Sequence, residues 1–436
     1  MATLAVAAIV AIGCDVAAPG GSPSQSLPPS APAASPSSDP GAPRPTPTGL
    51  PAGSPLVSPS PSTSPPASTP PFTGDVPHDP AKFGFRAKGM TGEIMAFMPI
   101  GQMQYVIDEM NWDVVSTLAF FSLEATRDGR IREDGGWRAW NSERMDRLIA
   151  KAHANGSKVV MSLERFSWTS AQTALTRELL GSKAARDKLA HAVAAEVERR
   201  GVDGVNVDFE PIPVGRKAHF TELLRALRRE LDARRPGYQL TFDIVGHHTS
   251  YDVAAGVGPD AADAVYLMGY HYAGTWSKIA QSNAPMGGPR YDVVDTVKSL
   301  LKSIERHELI VGVPYYGHAW PTNGSGLNAR TLGGGFDVIY SRAVATARAN
   351  GIRYDKVQQV AWSRWRARAC ASCPVTWYQM YFDDARASEY KWAWIKRNKL
   401  LGSGVWTIGF EGGPGALDAA MRKTFLESSP LDDIGG

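Results

Sequence analysis

Eight short runs of apolar residues recur along the chain from residue 93 onward, and longer polar stretches separate them. The runs are rich in Val and Ile and are apolar nearly throughout, which is typical of strands that are buried on both faces. The pattern therefore predicts eight strands of a parallel sheet. They are Glu93–Pro99, Val114–Leu123, Lys158–Leu163, Gly204–Glu210, Gln239–Gly246, Ala264–Tyr270, Leu309–Pro314 and Gly404–Gly409.

Amphipathic stretches lie between several of these strands. Asn141–Asn155 predicts a helix with Ser142 as its N-cap, and Ser182–Arg200 and Gly215–Arg234 predict two more. Eight strand–helix repeats favour an α/β fold of the closed (β/α)8 TIM barrel type over an open doubly wound sheet. Length alone would also suit a two-domain α/β protein. The first strand, however, has no Gly-rich phosphate loop after it, which counts against a dinucleotide-binding fold.

The stretch from about residue 319 to residue 380 is too long for a single loop between a strand and a helix. It contains a helical segment, Tyr340–Asn350, and two strand-like segments, Gln358–Trp365 and Val375–Tyr381. We therefore predict a small α+β insertion between the seventh and eighth barrel strands, which forms one wall of a cleft.

The first 80 residues differ from the rest in composition. Residues 2–13 form an apolar run that is too short to span a bilayer and matches the hydrophobic region of a signal peptide, although no Lys or Arg precedes it. The run ends at Cys14 in Ala-Ile-Gly-Cys, which resembles a bacterial lipobox with Ala in place of the usual Leu. Residues 15–80 are dominated by Pro, Ser, Ala and Thr, which predicts a disordered tether.

These features predict three regions: a signal peptide with a lipobox over residues 1–14, a linker over residues 15–80, and a catalytic barrel over residues 83–431 with its insertion at about 319–380. We expect an exported protein that is either a cell-envelope lipoprotein, attached to the membrane through a lipidated Cys14, or a secreted protein. The tether favours a monomer.

Composition and the remaining two cysteines argue against a nucleic-acid-binding protein and against a zinc site. The net charge is +3 and no charged block stands out, so nothing predicts a nucleic-acid partner. The 12 Trp and 14 Tyr suit either a sugar-binding cleft or ordinary packing. Cys370 and Cys373 have no second CxxC or nearby His pair, so a disulfide is favoured over free thiols or a zinc site in an exported chain. No motif predicts a metal or a cofactor.

The fourth predicted strand carries polar residues at every second position. Because side chains alternate between the faces of a strand, Asn206, Asp208 and Glu210 share one face. The apolar face should pack against helices, so the polar face should point into the barrel and toward the rim where barrel enzymes place their chemistry. Buried carboxyl groups at this spacing should shift each other's pKa.

The segment from Asp203 to Glu210 resembles the DxxDxDxE signature of glycoside hydrolase family 18, the chitinase family, with Asn206 at the second Asp position. The resemblance extends over nearly all of the chain after the tether and is closest to the bacterial spore-germination branch, whose members act on cell-wall glycan. It rests further on Tyr266–Tyr270, Gly312–Gly317 and Trp406, and on Tyr381–Arg386 followed by Lys391.

The resemblance implies substrate-assisted retaining hydrolysis next to N-acetylglucosamine, in chitin-like or peptidoglycan β-1,4-linked glycans. Glu210 would protonate the glycosidic oxygen and later activate water, while the 2-acetamido oxygen of the substrate attacks the anomeric carbon. Asp208 and Tyr270 would hold the acetamido group. The expected substrate-binding residues are Asn206, Met268, His271, Trp406, Tyr316 and Phe97.

Asn206 is a variant that the looser family pattern accepts, and two further features, at His271 and at the end of the third strand, depart from the family pattern. Asn206 should hydrogen-bond Asp208 but cannot take its proton, which predicts an altered pH optimum. His271 stands where the family usually has Asp, and its charge near pH 6 would differ. The third strand carries Glu164 and Arg165 where the family has Gly-Gly, so we expect a reshaped cleft mouth.

The sequence is also compatible with two other classes of function. One is a glycan-binding, lectin-like barrel without activity, which would keep the aromatic floor but tolerate the loss of Glu210. The other is an interaction protein with a decayed site. The intact pair of Asp208 and Glu210 argues against both.

Overall fold

The computed structural model describes residues 82–427. The predicted signal peptide, Cys14 and the predicted tether lie outside the described residues. The strands are β1 (Glu93–Pro99), β2 (Thr117–Glu124), β3 (Lys158–Phe166), β4 (Gly204–Glu210), β5 (Gln239–Val245), β6 (Ala264–Met268), β7 (Leu309–Pro314), β8 (Tyr316–Thr322), β9 (Phe336–Ile339), β10 (Arg353–Asp355), β11 (Val360–Arg368), β12 (Val375–Phe382) and β13 (Gly402–Trp406). The α-helices are α1 (Met103–Asp108), α2 (Gly135–Trp140), α3 (Glu143–Ala154), α4 (Ser170–Gly181), α5 (Lys183–Arg200), α6 (Lys217–Arg234), α7 (Val253–Gly256), α8 (Val293–Leu300), α9 (Tyr340–Asn350), α10 (Ala385–Arg397) and α11 (Ala416–Phe425).

Eight of the strands close into a barrel in the order β1-β13-β7-β6-β5-β4-β3-β2. All their pairings are parallel, so the carboxyl ends of the eight strands meet at one rim. The predicted (β/α)8 TIM barrel is confirmed. Strands β1, β4 and β7 have the predicted bounds, whereas β2 begins later than predicted because Trp112–Val114 form a 3-10 turn.

The helices around the barrel begin and end where the sequence supplies caps. The Ser142 side chain accepts a hydrogen bond from the backbone N–H of Met145 at the start of α3, and Ser182 caps α5 in the same way. Helix α5 is followed by Gly201 with φ of 64°, a left-handed conformation that costs a residue without Cβ little. None of the helices within residues 82–427 is long and apolar enough to cross a membrane.

Tyr266 fills the centre of the barrel, where two glycines on neighbouring strands leave room for its side chain. A Cβ atom at Gly312 or at Gly404 would lie 2.3 Å from the Tyr266 ring or hydroxyl, so neither β7 nor β13 can carry a side chain there. The ring also packs edge-on against Phe97 of β1, with 4.9 Å between the ring centroids. The packed interior thereby fixes β6, the strand that leads to the predicted site residues Met268, Tyr270 and His271.

The insertion between β7 and β13 is larger than its two predicted strands. It forms a five-stranded antiparallel sheet in the order β10-β11-β12-β8-β9, and the predicted helix α9 packs on it. The first strand, β8, begins two residues after β7 ends, so the sheet grows directly out of the barrel rim. Cys370 and Cys373 form a disulfide in the turn between β11 and β12.

The segment after β12 joins the insertion to the barrel through buried charges. Asp383 accepts a hydrogen bond from the Lys391 ammonium group at 2.8 Å, and both side chains are buried. Asp384 caps α10 by accepting from the backbone N–H of Ala387. The residues that carry the resemblance to the spore-germination branch therefore hold the junction of β12 and α10 together.

Lys391→Met is expected to lower the free energy of unfolding by about 3–5 kcal/mol, because it leaves the Asp383 carboxylate buried without a partner. Urea titrations of the purified protein measure this loss. Lys183→Met is the matched control, since Lys183 pairs with Asp187 on the surface and should contribute less than about 1 kcal/mol. Equal losses in the two variants would contradict a stabilising role for the buried pair.

Candidate active site

Strand β4 presents its three polar side chains to the barrel interior, as its alternation predicts. All seven residues of β4 are buried. On the outer face, Phe209 packs against Phe220 of α6, with 5.8 Å between the ring centroids. The inner face therefore carries Asn206, Asp208 and Glu210 upward to the carboxyl end of the strand.

Glu210 holds its proton unusually strongly for a glutamate. Burial raises the pKa of Glu210 to about 8, and repulsion from the carboxyl group of Glu164 adds to the shift. Glu164 lies next to Asp208 in the register of β3 and β4, and the Ser122 hydroxyl donates a hydrogen bond to it. A glutamic acid that is still protonated near neutral pH is suited to donate a proton to a leaving group.

Asp208 lies close to three other carboxyl groups, those of Glu210, Asp243 and Glu164. Burial raises its pKa well above the usual range, and repulsion from Glu210, Asp243 and Glu164 raises it further. Its Oδ1 atom is buried and has no hydrogen-bond partner among the described residues. Because the carboxyl groups interact strongly, they share protons as a group rather than titrate one by one. The unpaired Oδ1 atom of Asp208, beside a protonated Glu210, is suited to accept a hydrogen bond from an N–H or O–H group of a bound ligand.

Asn206 does not bond to Asp208 as expected from the sequence. Its Nδ2 atom donates to the Thr241 hydroxyl at 3.0 Å and to Asp243 Oδ1 at 2.7 Å, and both acceptors lie on β5. The two amide hydrogens are therefore used, and none remains for Asp208. The Asn206 side chain is fully buried and its amide bonds only to β5, so the predicted contact between Asn206 and substrate is not supported.

The segments that follow β6 and β7 supply hydroxyl and imidazole groups at the same rim. Tyr270 follows β6 and is buried. The Tyr316 hydroxyl lies 2.8 Å from His271 Nε2 and its ring centroid lies 6.1 Å from that of Tyr270. Burial lowers the pKa of His271 to about 4. His271 is therefore neutral near pH 6, where an aspartate would be charged.

Trp406 ends β13 and lies on a support of aromatic rings. Its ring centroid is 4.7 Å from that of Phe121 and 5.7 Å from that of Phe97. Trp406 keeps part of its surface exposed, whereas Phe97 is buried beneath it. Phe97 therefore supports the ring, and Met268 is likewise buried on the inner face of β6. Of the predicted aromatic contacts, Trp406 is the one with surface available to a sugar.

Asp243 is the residue of the cluster that sequence reasoning missed. It is buried on the inner face of β5, two residues after Thr241, in a strand predicted as apolar. The same alternation that identified β4 places the three polar side chains of β5, at Gln239, Thr241 and Asp243, on its inner face. Within residues 82–427, no group of three or more His, Cys, Asp or Glu side chains is arranged to hold a metal ion.

A parallel eight-stranded barrel with a buried Asp and Glu at the carboxyl end of its fourth strand is the arrangement expected of a barrel glycosidase. The chain belongs to this class as a member of glycosyl hydrolases family 18, whose family model matches residues 78–411. The resemblance predicted from the Asp203–Glu210 segment is thereby confirmed.

Two relatives illustrate the range of the family. Chitinase 1 of Aphanocladium album is 26% identical over 299 residues, which are 63% of this chain and 66% of that protein. The putative sporulation-specific glycosylase YdhD of Bacillus subtilis (strain 168) is 25% identical over 262 residues, 58% of this chain and 57% of that protein. The chain thus spans between about half and two thirds of the length of these relatives. The second agrees with the predicted spore-germination branch.

A solved structure shares the fold. The family 18 chitinase of Cycas revoluta, in complex with (GlcNAc)3, superposes with a TM-score of 0.63 at 18% sequence identity. The likeness covers 76% of this chain and 98% of that chain. The shared part includes the barrel, so the architecture of a GlcNAc-binding relative is also the architecture of this chain.

Proposed function

We propose that this protein hydrolyses β-1,4 glycosidic bonds next to N-acetylglucosamine, in chitin-like or peptidoglycan glycans, by substrate-assisted retaining catalysis. The observation that carries the proposal is the buried pair on β4: Glu210, with its raised pKa, beside Asp208, with an unpaired Oδ1. Membership of family 18 and the similarity to a chitinase and a sporulation-specific glycosylase support the substrate class.

The first half of the reaction breaks the glycosidic bond. Glu210 donates its proton to the glycosidic oxygen as the bond to the anomeric carbon lengthens. The 2-acetamido oxygen of the same sugar attacks that carbon and forms an oxazolinium ion. Asp208, as its carboxylate, accepts the acetamido N–H and stabilises the positive charge, and Tyr270 orients the acetamido oxygen.

The second half returns the enzyme to its starting state. Glu210, now without its proton, takes a proton from a water molecule that attacks the anomeric carbon, so the oxazolinium ring opens with retained configuration. Trp406 stacks beneath the sugar through its exposed surface. The neutral His271, paired with Tyr316, lines the site without adding charge.

The mechanism makes an acetyl group on the reacting sugar indispensable. With the full-length protein, fully N-acetylated chitin oligosaccharides should be cleaved, whereas their fully deacetylated counterparts should be cleaved at least about 10²-fold more slowly, because no internal nucleophile remains. Mass spectrometry of the products measures both rates. Partially acetylated oligosaccharides are the control, and all their products should carry N-acetylglucosamine at the new reducing end. Equal cleavage next to glucosamine would contradict the mechanism.

We also propose that the protein acts at the cell envelope, through the predicted signal peptide and the tether over residues 15–80. The support is the sequence: the apolar run that ends at Cys14 and the Pro-rich linker after it. Such a tether would let the barrel reach a wall glycan. Labelling with a fatty acid that is lost in Cys14→Ala would distinguish the lipoprotein from a secreted protein.

A further inference from the structure

The inner face of β5 carries a carboxyl group that none of the steps above uses. Asp243 is 2% exposed and faces the polar side of β4. Its Oδ1 accepts the Asn206 amide N–H at 2.7 Å, the shorter of the two bonds that the amide donates. A carboxyl group buried this deeply is costly unless its hydrogen bonds are needed, so its place in the cluster requires an explanation.

The hydrogen bonds fix which way the Asn206 amide points. Because Nδ2 donates to Asp243 and Thr241, Oδ1 is the remaining polar atom, and it has no partner among the described residues. The amide therefore presents an acceptor, and no donor, to the rest of the barrel interior. A protonated Asp208 could donate to that acceptor, whereas an ionised Asp208 gains nothing from it.

The groups around Asp243 are acidic or neutral on every side. Glu210 and Asp208 lie near it on β4, and Tyr266 and Tyr270 lie near it on β6 and its end. Tyr251, after β5, is close enough to interact with its charge, although the Tyr251 hydroxyl donates to the backbone oxygen of Phe209. Glu164 of β3 adds a further carboxyl group on the far side of Asp208. Within residues 82–427, Asp243 forms no salt bridge. Burial first, and then repulsion from Glu210, raise its pKa well above the usual range.

We propose that Asp243 is the third carboxyl group of the catalytic cluster and acts as a positioning residue. It supplies, from β5, the carboxyl group that the signature has on β4 and that Asn206 lacks. This inference rests on the proposed function. Asp243 acts in two ways: it orients the Asn206 amide and, once it is ionised, its carboxylate strengthens the hold of Asp208 and Glu210 on the proton that remains in the cluster. Glu210 thereby keeps its proton until the glycosidic oxygen takes it.

Loss of the Asp243 carboxyl group should shift the pH dependence of catalysis to lower pH. Glu210 must be protonated to act, so the alkaline limb of kcat/KM reports the loss of the proton from the cluster. Removing the carboxyl charge of Asp243 weakens the repulsion and lowers the proton affinity of the remaining pair. The alkaline limb of Asp243→Asn should therefore move about one pH unit lower than that of the wild type.

A swap of the two side chains separates this role from a structural one. In the double variant Asn206→Asp/Asp243→Asn, the carboxyl group moves to β4 and the hydrogen bond is kept with its donor and acceptor exchanged. The swap should return the alkaline limb to within about 0.3 pH unit of the wild type. The experiment measures kcat/KM against pH for the full-length wild type, the single variant and the swap, on a fluorogenic N-acetylglucosamine oligosaccharide, with thermal unfolding recorded for each.

The outcomes are distinct. A downward shift in Asp243→Asn that the swap reverses supports the proposal. An unchanged limb in the single variant, or a uniform loss of rate or thermal stability that the swap does not reverse, overturns it. If the wild type cleaves no N-acetylglucosamine glycan, the proposed function fails, and the inference is then decided by infrared titration of the carboxyl C=O band. The pH midpoint of this titration should be lower in Asp243→Asn than in the wild type, and an identical midpoint overturns the inference.

Discussion

Glu210→Gln is expected to lower kcat on an N-acetylglucosamine oligosaccharide by about 10²–10⁴-fold while the glycan still binds. Gln has the same shape as Glu and can donate a hydrogen bond, but it cannot transfer a proton to the glycosidic oxygen. Single-turnover rates measure the chemical step, and calorimetric titration with the oligosaccharide measures binding. A variant that keeps more than about a tenth of the wild-type kcat would contradict the assignment of Glu210 as the acid.

The unfolding temperature of Glu210→Gln shows whether its loss of activity comes from misfolding. The pKa of Glu210 is about 8 in the fold and about 4.3 in an unfolded chain, so ionising the buried group opposes folding progressively as pH rises from about 4 to 8. Gln removes that cost, and Glu210→Gln should therefore unfold at the same temperature as the wild type or higher at pH 8. Glu178→Gln, at an exposed position on α4, should change neither turnover nor stability.

Asp208→Asn is expected to lower kcat by about 10²–10³-fold, a magnitude typical of removing a group aimed at developing charge. The amide would still fill the space, but it has no negative charge to stabilise the oxazolinium ion. The loss should fall on kcat more than on KM, because the charge appears only as the bond breaks. Steady-state kinetics of the full-length variant measure both constants.

The same substitution should also change the pH profile. Removing the Asp208 carboxyl group relieves repulsion on Glu210, so the alkaline limb should move to lower pH. Asp203→Asn is a matched control within the same signature, since Asp203 instead accepts from the backbone N–H of Val159 and bonds to His153 at the opposite end of β4. If Asp208→Asn raised KM alone, Asp208 would be a ground-state binding residue and the proposed mechanism would be wrong.

The barrel was predictable because buried parallel strands leave a plain pattern. Each run of β-branched and apolar residues is bounded by turn signals, and β1, β4 and β7 have the predicted ends. The insertion was harder to predict, since β8, β9 and β10 are short or mixed in polarity. Strand β8 also begins within the Gly312–Gly317 motif, which the sequence assigned to the barrel.

The candidate site was predictable only along β4, where alternation marks Asn206, Asp208 and Glu210. The contact between Asn206 and Asp243 joins residues on two strands, and the register of β4 against β5 is not written in either strand alone. For the same reason, the sequence could not show that β3 places Glu164 beside Asp208. Pairwise contacts across strands decide the electrostatics of the site, and they appear only in the fold.

The most direct test of the proposed hydrolase is mass spectrometry of the products released by the full-length protein from purified peptidoglycan and, separately, from chitin oligosaccharides. Glu210→Gln is assayed in parallel. The wild type should release fragments that end in N-acetylglucosamine from at least one glycan, and the variant should release none above background. If neither protein cuts either glycan while both bind one, the barrel is a glycan-binding protein and the roles given to Glu210 and Asp208 are wrong.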